Sequence, residues 1–288
     1  MKTSYDCIPC FIRQTLEAVR FASSDQNVHE LVLRKVLKAV SSMDLKKSPP
    51  VMGQYIHRII RKYAGSSDPY QKVKKKFNSY ALELYPVLKG IVETSANRFE
   101  TAVRLAIAGN IIDFGVNAEV NQEVISKNID LSLSEQLFGD LESFHDAVNS
   151  AGKILYLGDN TGEIVFDRLL IEQLPKENVI FAVRGAPVIN DATMADAVDT
   201  KMNDFVTVID NGSDAPGIVL EECSEPFKQF FHRADLIIAK GQGNFETLSD
   251  TDKTIFFLLK AKCAVVARHI GCHVGESVIS RINHEKPE

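Results

Sequence analysis

No apolar run in this 288-residue chain approaches the roughly 20 residues that a membrane-spanning helix needs. The start, Met1-Lys2-Thr3-Ser4-Tyr5-Asp6-Cys7, also lacks the apolar core of a secretory signal, so the expected location is the cytoplasm. Basic excess is missing as well. A net charge of −5 and a pI near 5.9 argue against a general nucleic-acid binder, which is usually basic. Cysteine is sparse: five residues, an odd and scattered set, do not make a disulfide framework in a reducing compartment. No internal repeat or low-complexity segment stands out. What remains is a globular composition, 45% hydrophobic and 25% charged, with length for one large domain or two ordinary ones. Oligomeric state is not legible.

The character of the chain changes near residue 150. Before it, apolar residues recur at helical spacing, as in Ile8, Phe11, Ile12, Leu16 and Val19, then Leu31, Val32, Val36, Leu37 and Val40. Ser48-Pro49-Pro50 reads as a break before a helix around Tyr55 to Tyr63. Asp68-Pro69 reads as an N-cap opening a long helix from about Tyr70 to Val92, bent near Pro86. A further helix is expected from about Arg98 to Ile112. After Gly152, short apolar runs alternate with helical stretches and Gly/Asp/Asn turns, the pattern of βα units around a parallel sheet. Strands are predicted at about 153–157, 178–183, 205–209, 235–239 and 254–259, with another possible at 263–267. The fold class is therefore α/β, a Rossmann-like three-layer domain with a mainly parallel sheet (149–288), beside an N-terminal multihelical domain (1–148).

Three polar clusters sit where apolar runs stop: Gly158-Asp159-Asn160-Thr161-Gly162-Glu163, Arg184-Gly185-Ala186-Pro187-Val188-Ile189-Asn190-Asp191, and Lys240-Gly241-Gln242-Gly243-Asn244-Phe245-Glu246. In an open α/β sheet the carboxyl ends of the strands share the edge where ligands bind. This order gathers Asp159, Asn160, Asp191 and Lys240 at one rim. Hard carboxylate and amide oxygens suit a divalent cation, while a helix start near Thr161 and the glycines Gly185 and Gly241 suit a phosphate. Alone, each motif also has a plainer reading. Asp159, Thr161 or Asp191 can be a helix cap, and Lys240 can snorkel to the surface. A dinucleotide is disfavoured, because the first βα turn lacks the three-glycine spacing and places a carboxylate where pyrophosphate would lie. Asp196 and Asp199 are expected on a solvated helix face.

The strings Gly-Asp-Asn-Thr-Gly-Glu, Pro-Val-Ile-Asn-Asp-Ala-Thr, Asp214-Ala215-Pro216-Gly217 and Ala-Lys-Gly-Gln-Gly-Asn-Phe-Glu-Thr-Leu resemble those of the damage-control phosphatase family, formerly domain of unknown function 89. Cys7-Ile8-Pro9-Cys10 and Gly109-Asn110-Ile111-Ile112-Asp113-Phe114-Gly115 resemble its microbial, cysteine-containing branch. The resemblance covers essentially the whole chain. It implies a helical domain joined to a Rossmann-like domain, and metal-dependent hydrolysis of small phosphorylated metabolites. It also implies metal ligands at Asp159, Asn160 and Asp191, and a lysine at Lys240.

In the helical half, Cys7 and Cys10 stand three apart and admit three readings: a ligand pair for a second metal, a redox dithiol, or core packing. A structural zinc would need Cys223, Cys263, Cys272 or a histidine such as His57 to complete it. Asn110 and Asp113 share a helix face; by spacing they are an ordinary polar pair, and by the resemblance they are candidates for substrate contact. The run Lys72, Lys74, Lys75, Lys76 reads as a solvated face. His269 and His273, with Gly271 between them, do not make a metal site.

The expectation is therefore a phosphatase with one divalent ion (manganese, nickel, cobalt or magnesium), acting on sugar or cofactor phosphates. Lys240 and the Gly241 N–H would stabilise the phosphoryl oxygens, and Glu163 or Asp113 would orient the attacking water. The alternatives are an S-adenosylmethionine-dependent protein carboxyl methyltransferase and a non-catalytic metal- or phosphometabolite-binding module.

Overall fold

A computed structural model describes residues 1–109 and 122–282 of the chain. Helices α1 (Cys7–Ala22), α2 (Gln26–Val40) and α3 (Pro49–Ala64) close around their own apolar core, which includes Phe11, Val19, Val32, Val36, Ile56 and Ile60. Ser48-Pro49-Pro50 is not a break. It is the start of α3, because proline fits the first helical turn, where an N–H has no partner to lose. Helix α4 (Gln71–Thr94) runs through Pro86, and α5 (Arg98–Ala108) follows; residues 110–112 of the expected helix lie outside the described residues. Then come α6 (Gln122–Ser134), the short strand β1 (Leu137–Gly139) and α7 (Leu141–Ser150).

The second half alternates as the sequence pattern predicts through β6 and then adds a strand that the pattern did not indicate: β2 (Ile154–Leu157), α8 (Glu163–Ile171), β3 (Val179–Val183), α9 (Met194–Asp199), β4 (Thr207–Asp210), α10 (Glu225–Arg233), β5 (Leu236–Lys240), α11 (Gly241–Leu248), β6 (Ile255–Lys260), α12 (Ala264–Ile270) and the unpredicted β7 (Ser277–Ile282). They form a seven-stranded sheet of order β1-β7-β6-β5-β2-β3-β4, parallel except where β7 pairs antiparallel with β6. The possible strand at 263–267 is instead α12, closed by Gly271 in the left-handed conformation. A short apolar run leaves helix and strand undecided when periodicity is the only guide.

The fold is thus a mostly parallel α/β sheet with helices on both faces. Successive strand residues alternate sides, so Ile154 and Tyr156 join a core under α4, α5, α7 and α8, while Leu155 and Leu157 join one under α10, α11 and α12. Burial on both faces explains why these strands read as continuous apolar runs. Among the described residues no helix is long and apolar enough to cross a membrane.

Two polar expectations change at this level. Lys74 is buried, not solvated, with Nζ 3.0 Å from Asp196 and 3.5 Å from Asp68. Asp196 is buried too, because it closes the capping box at Thr193 that starts α9. A capping box leaves no trace in hydrophobic periodicity, so Asp196 resembled an ordinary surface acid.

Candidate active site

Strand β2 lies between β3 and β5 in the sheet. From β2 the chain moves to β3 and β4 on one side, then crosses to β5 and β6 on the other. Connections diverge at such a switch point and leave a crevice at the carboxyl ends of the strands. Asp159 and Asn160 leave β2 at that point. Backbone bonds zip their loop to the one following β3: Ala192 N–H donates to Asp159 O (2.8 Å), Thr161 N–H donates to Asn190 O (2.9 Å), and Asn160 and Asp191 form an antiparallel bridge. The pairing sets Asn160 beside Asp191.

The carboxylates of Asp159 and Asp191 converge on one guanidinium. Arg184, 1% exposed at the end of β3, donates from Nε to Asp191 Oδ2 (2.7 Å) and from an amino group to Asp159 Oδ1 (3.3 Å). Asn160 Nδ2 donates to Asp159 Oδ2 (2.8 Å) and to Glu163 Oε2 (3.0 Å). Two acceptors on one side decide the amide's orientation, and among the described residues no hydrogen bond engages Asn160 Oδ1. Burial pushes the Asp159 carboxyl well above the usual range, and the nearby charges of Asp191 and Glu163 push it further, against the pull of Arg184 and Lys262. Three carboxyl groups, those of Asp159, Asp191 and Glu163, are thus crowded together at the switch point.

A cavity of about 400 Å³ opens over these groups. Asp159, Asn160, Ile189, Asn190 and Asp191 form one wall, Gln242, Gly243 and Glu246 of α11 another, and Cys7, Cys10 and Phe11 of α1 with Pro49 and Gly53 of α3 close it from the helical half. Lys262 and Cys263, which follow β6, complete it. The first turn of α11 brings N–H groups that have no partner within the helix, here those of Gly241, Gln242 and Gly243. The sequence pattern assigned no role to Arg184, Lys262 or Glu246, and named Cys263 only as one residue that could complete a zinc site with Cys7 and Cys10. A charged residue just beyond a buried strand was the available signal for Arg184 and Lys262.

Several expected contacts are arranged differently. Lys240 is fully buried, and its ammonium donates to Ala106 O (2.7 Å), Glu163 Oε1 (2.6 Å) and Asp167 Oδ1 (2.6 Å). Its three donors are used below the rim, so it does not present its charge to a phosphate in the cavity. The start of α8 is equally engaged: the Thr161 N–H goes to Asn190 O, Gly162 N–H donates to Asn78 Oδ1 (2.8 Å), and Asn160 N–H donates to Glu163 Oε2 (3.3 Å). Gly185 N–H donates to Ser213 O and Asn211 Oδ1, both at 2.9 Å. Thr161 and Gly185 therefore offer no free backbone donor, whereas Gly241 stands directly against Asp159. Asn110 and Asp113 lie outside the described residues.

Cys7 and Cys10 are half-buried in the cavity wall, and Cys7 also packs against the apolar core of α1, α2 and α3. Burial pushes the Cys7 thiol up, with smaller contributions from Glu246, Cys263 and Cys10, so Cys7 lacks the depressed pKa of a reactive dithiol. Among the described residues no three His, Cys, Asp or Glu side chains stand together as a metal site, which leaves the pair without completing ligands for a second metal. Asp159 and Asp191 instead stand together with the side-chain amide of Asn160.

Comparison with known proteins agrees with this architecture. Residues 3–278 match the damage-control phosphatase ARMT1-like domain. A damage-control phosphatase of Pyrococcus horikoshii is 35% identical, covering 98% of each chain, and one of Archaeoglobus fulgidus is 36% identical, covering 96% of this chain and 98% of the relative. An uncharacterized protein of Methanocaldococcus jannaschii is 36% identical, covering 97% and 95%. The crystal structure of a DUF89 family protein from Pyrococcus horikoshii superposes with a TM-score of 0.90 at 33% identity, covering 98% of this chain and all of that one.

Proposed function

The chain belongs to the damage-control phosphatase ARMT1-like family, and from that premise we propose that it is a phosphatase that hydrolyses small phosphorylated metabolites with the help of a divalent cation held by Asp159, Asn160 and Asp191. One observation carries the reading: two carboxylates and an oriented amide, delivered by two strand ends, converge at the switch point beside the start of α11.

The donor set fits the cation. All three side chains offer hard oxygens of the kind that magnesium and manganese prefer, and cobalt and nickel remain compatible. Burial raises the Asp159 carboxyl, and the charges of Asp191 and Glu163 raise it further, a repulsion that added positive charge relieves. Such an ion supplies charge neutralisation at the phosphoryl group and activates water for attack.

The protein's own groups do the rest. Arg184 fixes the two carboxylates relative to each other, and Glu163 fixes the Asn160 amide so that Oδ1 is the atom left for the cation. Lys240 neutralises Glu163 and Asp167 from below, a positioning task in place of the expected phosphate contact. The N–H groups of Gly241, Gln242 and Gly243 are the proposed cradle for the phosphoryl oxygens, and Lys262 contributes charge at the cavity wall. The leaving group then extends toward α1 and α3.

A methyltransferase is not favoured, since two of the relatives carry phosphatase names and methyl transfer gives the oxygen cluster no task. A binding module would share the cluster but release no phosphate. The test is hydrolysis of an aryl phosphate by chelator-treated protein, with manganese, cobalt, nickel or magnesium added back. Activity is expected to return with metal and to fall by about two to three orders of magnitude in Asp159→Ala. Metal-independent activity, or an active D159A protein, overturns the proposal.

A further inference from the structure

Helix α3 belongs to the helical half, yet it grips two of the loops that shape the cavity. Gln54, Arg58 and Arg61 lie on one helix face at i, i+4 and i+7, and all three reach a single carboxylate. Gln54 Nε2 donates to Asp214 Oδ1 (2.8 Å), Arg58 donates to both Asp214 oxygens (2.6–3.1 Å), and Arg61 donates from one amino group to Asp214 Oδ2. These partners hold the Asp214 carboxyl below its ordinary value despite burial.

The other amino group of Arg61 donates to Pro187 O (2.6 Å). Pro187 stands four residues before Asp191, in the loop that follows β3. Between them Ile189 has φ 45°, a left-handed conformation that a β-branched residue adopts only where its surroundings impose it. On one side that loop is held by Thr161 N–H donating to Asn190 O (2.9 Å); on the other, Arg61 holds it. The Asp214 loop rests in turn on α11. A Cβ added to Gly243 would lie 2.2 Å from Pro216 O, and one added to Gly53 of α3 would lie 3.1 Å from the Pro216 ring.

We infer that Arg61 is a positioning residue for the cation site, which holds the strained 187–191 loop so that Asp191 is already placed to bind, with Asp214 as its anchor. Arg61 touches neither the ligands nor the cavity, and it acts through Pro187. Arg58 provides the internal control, because it grips the same Asp214 and reaches Glu222 (2.8 Å) but makes no hydrogen bond to the 184–191 loop. A purely structural clamp would treat the two arginines alike. A positioning role would not.

The inference rests on reading Asp159, Asn160 and Asp191 as cation ligands, and the experiment separates the two. Manganese chloride is titrated calorimetrically into wild type, Arg61→Met and Arg58→Met, and each protein's urea midpoint is measured alongside. Both variants are expected to unfold earlier, but only R61M is expected to bind manganese more weakly, by about 10- to 100-fold, the usual loss when a residue that orients metal ligands is removed. Arg61→Lys stands in if R61M does not fold, since one ammonium cannot hold Pro187 O and Asp214 in the same geometry. Wild-type protein that binds no manganese overturns the cation reading itself. Equal manganese affinity in wild type and R61M, or equal losses in R61M and R58M, overturns the role given to Arg61 and leaves the cation reading standing.

Discussion

Asp159 occupies the space that a side chain on residue 241 would need. A Cβ built on Gly241 would lie 1.9 Å from Asp159 Oδ2, and Gly241 has φ 78°, a conformation that favours glycine. The start of α11 and the Asp159 carboxylate, which follows β2, can therefore lie against each other only because residue 241 has no side chain. Gly241→Ala is expected to displace Asp159 and to strain the turn by about 1–2 kcal/mol. Aryl phosphate hydrolysis should fall by about 100-fold or more, with only a modest loss of thermal stability. A G241A protein that retains full activity would show that the phosphoryl group does not use this contact.

Lys240 gives a prediction that separates two roles. A phosphate-binding lysine, once replaced, would weaken substrate binding and leave the fold intact. The geometry calls for the opposite, because Lys240→Met leaves Glu163 and Asp167 buried without their counter-charge. Removing one partner of a buried ion pair costs about 3–5 kcal/mol, so K240M should unfold at markedly lower urea concentration. Adding Glu163→Gln and Asp167→Asn should recover much of that loss. A K240M protein of wild-type stability with only a raised KM would restore the phosphate-contact reading.

Strands β2 to β6 were legible as apolar runs, and the meeting of Asp159, Asn160 and Asp191 was legible because each lies in a loop between a β-strand and the helix that follows it. Lys240 was expected to face a phosphate, and in the fold its ammonium bonds Ala106 O, Glu163 and Asp167 instead. Glu163 and Asp167 stand at i and i+4, so one face of α8 carries two carboxylates toward it, and that spacing was a usable signal. Arg184 and Lys262 depend on which strands are neighbours, and chain order does not reveal that β5 and β6 lie across β2 from β3. The grip of Gln54, Arg58 and Arg61 on Asp214 spans more than 150 residues of sequence, beyond any local pattern. Strand β1, three residues long, is too short to show alternation.

His57 should make the helical half sensitive to acid. Burial, with Arg61 nearby, lowers its pKa from the ordinary 6.5 to about 4, against the opposing charge of Asp214. The folded protein then binds fewer protons than the unfolded chain between those values. The stability is fully present above pH 6.5 and is lost as pH falls from 6.5 to 4, up to about 3 kcal/mol for a shift of this size. In His57→Gln that component is absent, so the gap between the melting temperatures of wild type and variant should narrow steadily on acidification. Parallel profiles from pH 7 to pH 4.5 would mean that His57 does not titrate as a buried neutral ring.

Glu246 should act in the other direction. It lines the cavity, and burial raises its carboxyl from 4.5 to about 7, although Gln242 donates to it (2.9 Å) and the amino terminus lies nearby. Here the folded state holds the extra proton. Stability should fall as pH rises from 4.5 to 7, with the whole penalty, again about 3 kcal/mol at most, present above pH 7. Glu246→Gln removes that penalty and keeps the shape, so the variant should gain stability over wild type at pH 8 and show little gain at pH 4.5. The cavity also acquires a negative charge near neutrality, because ionised Glu246 stands in the same chamber as Asp159 and Asp191. An E246Q protein with the same advantage at both pH values would place the effect in packing and remove Glu246 from the titrating groups of the site.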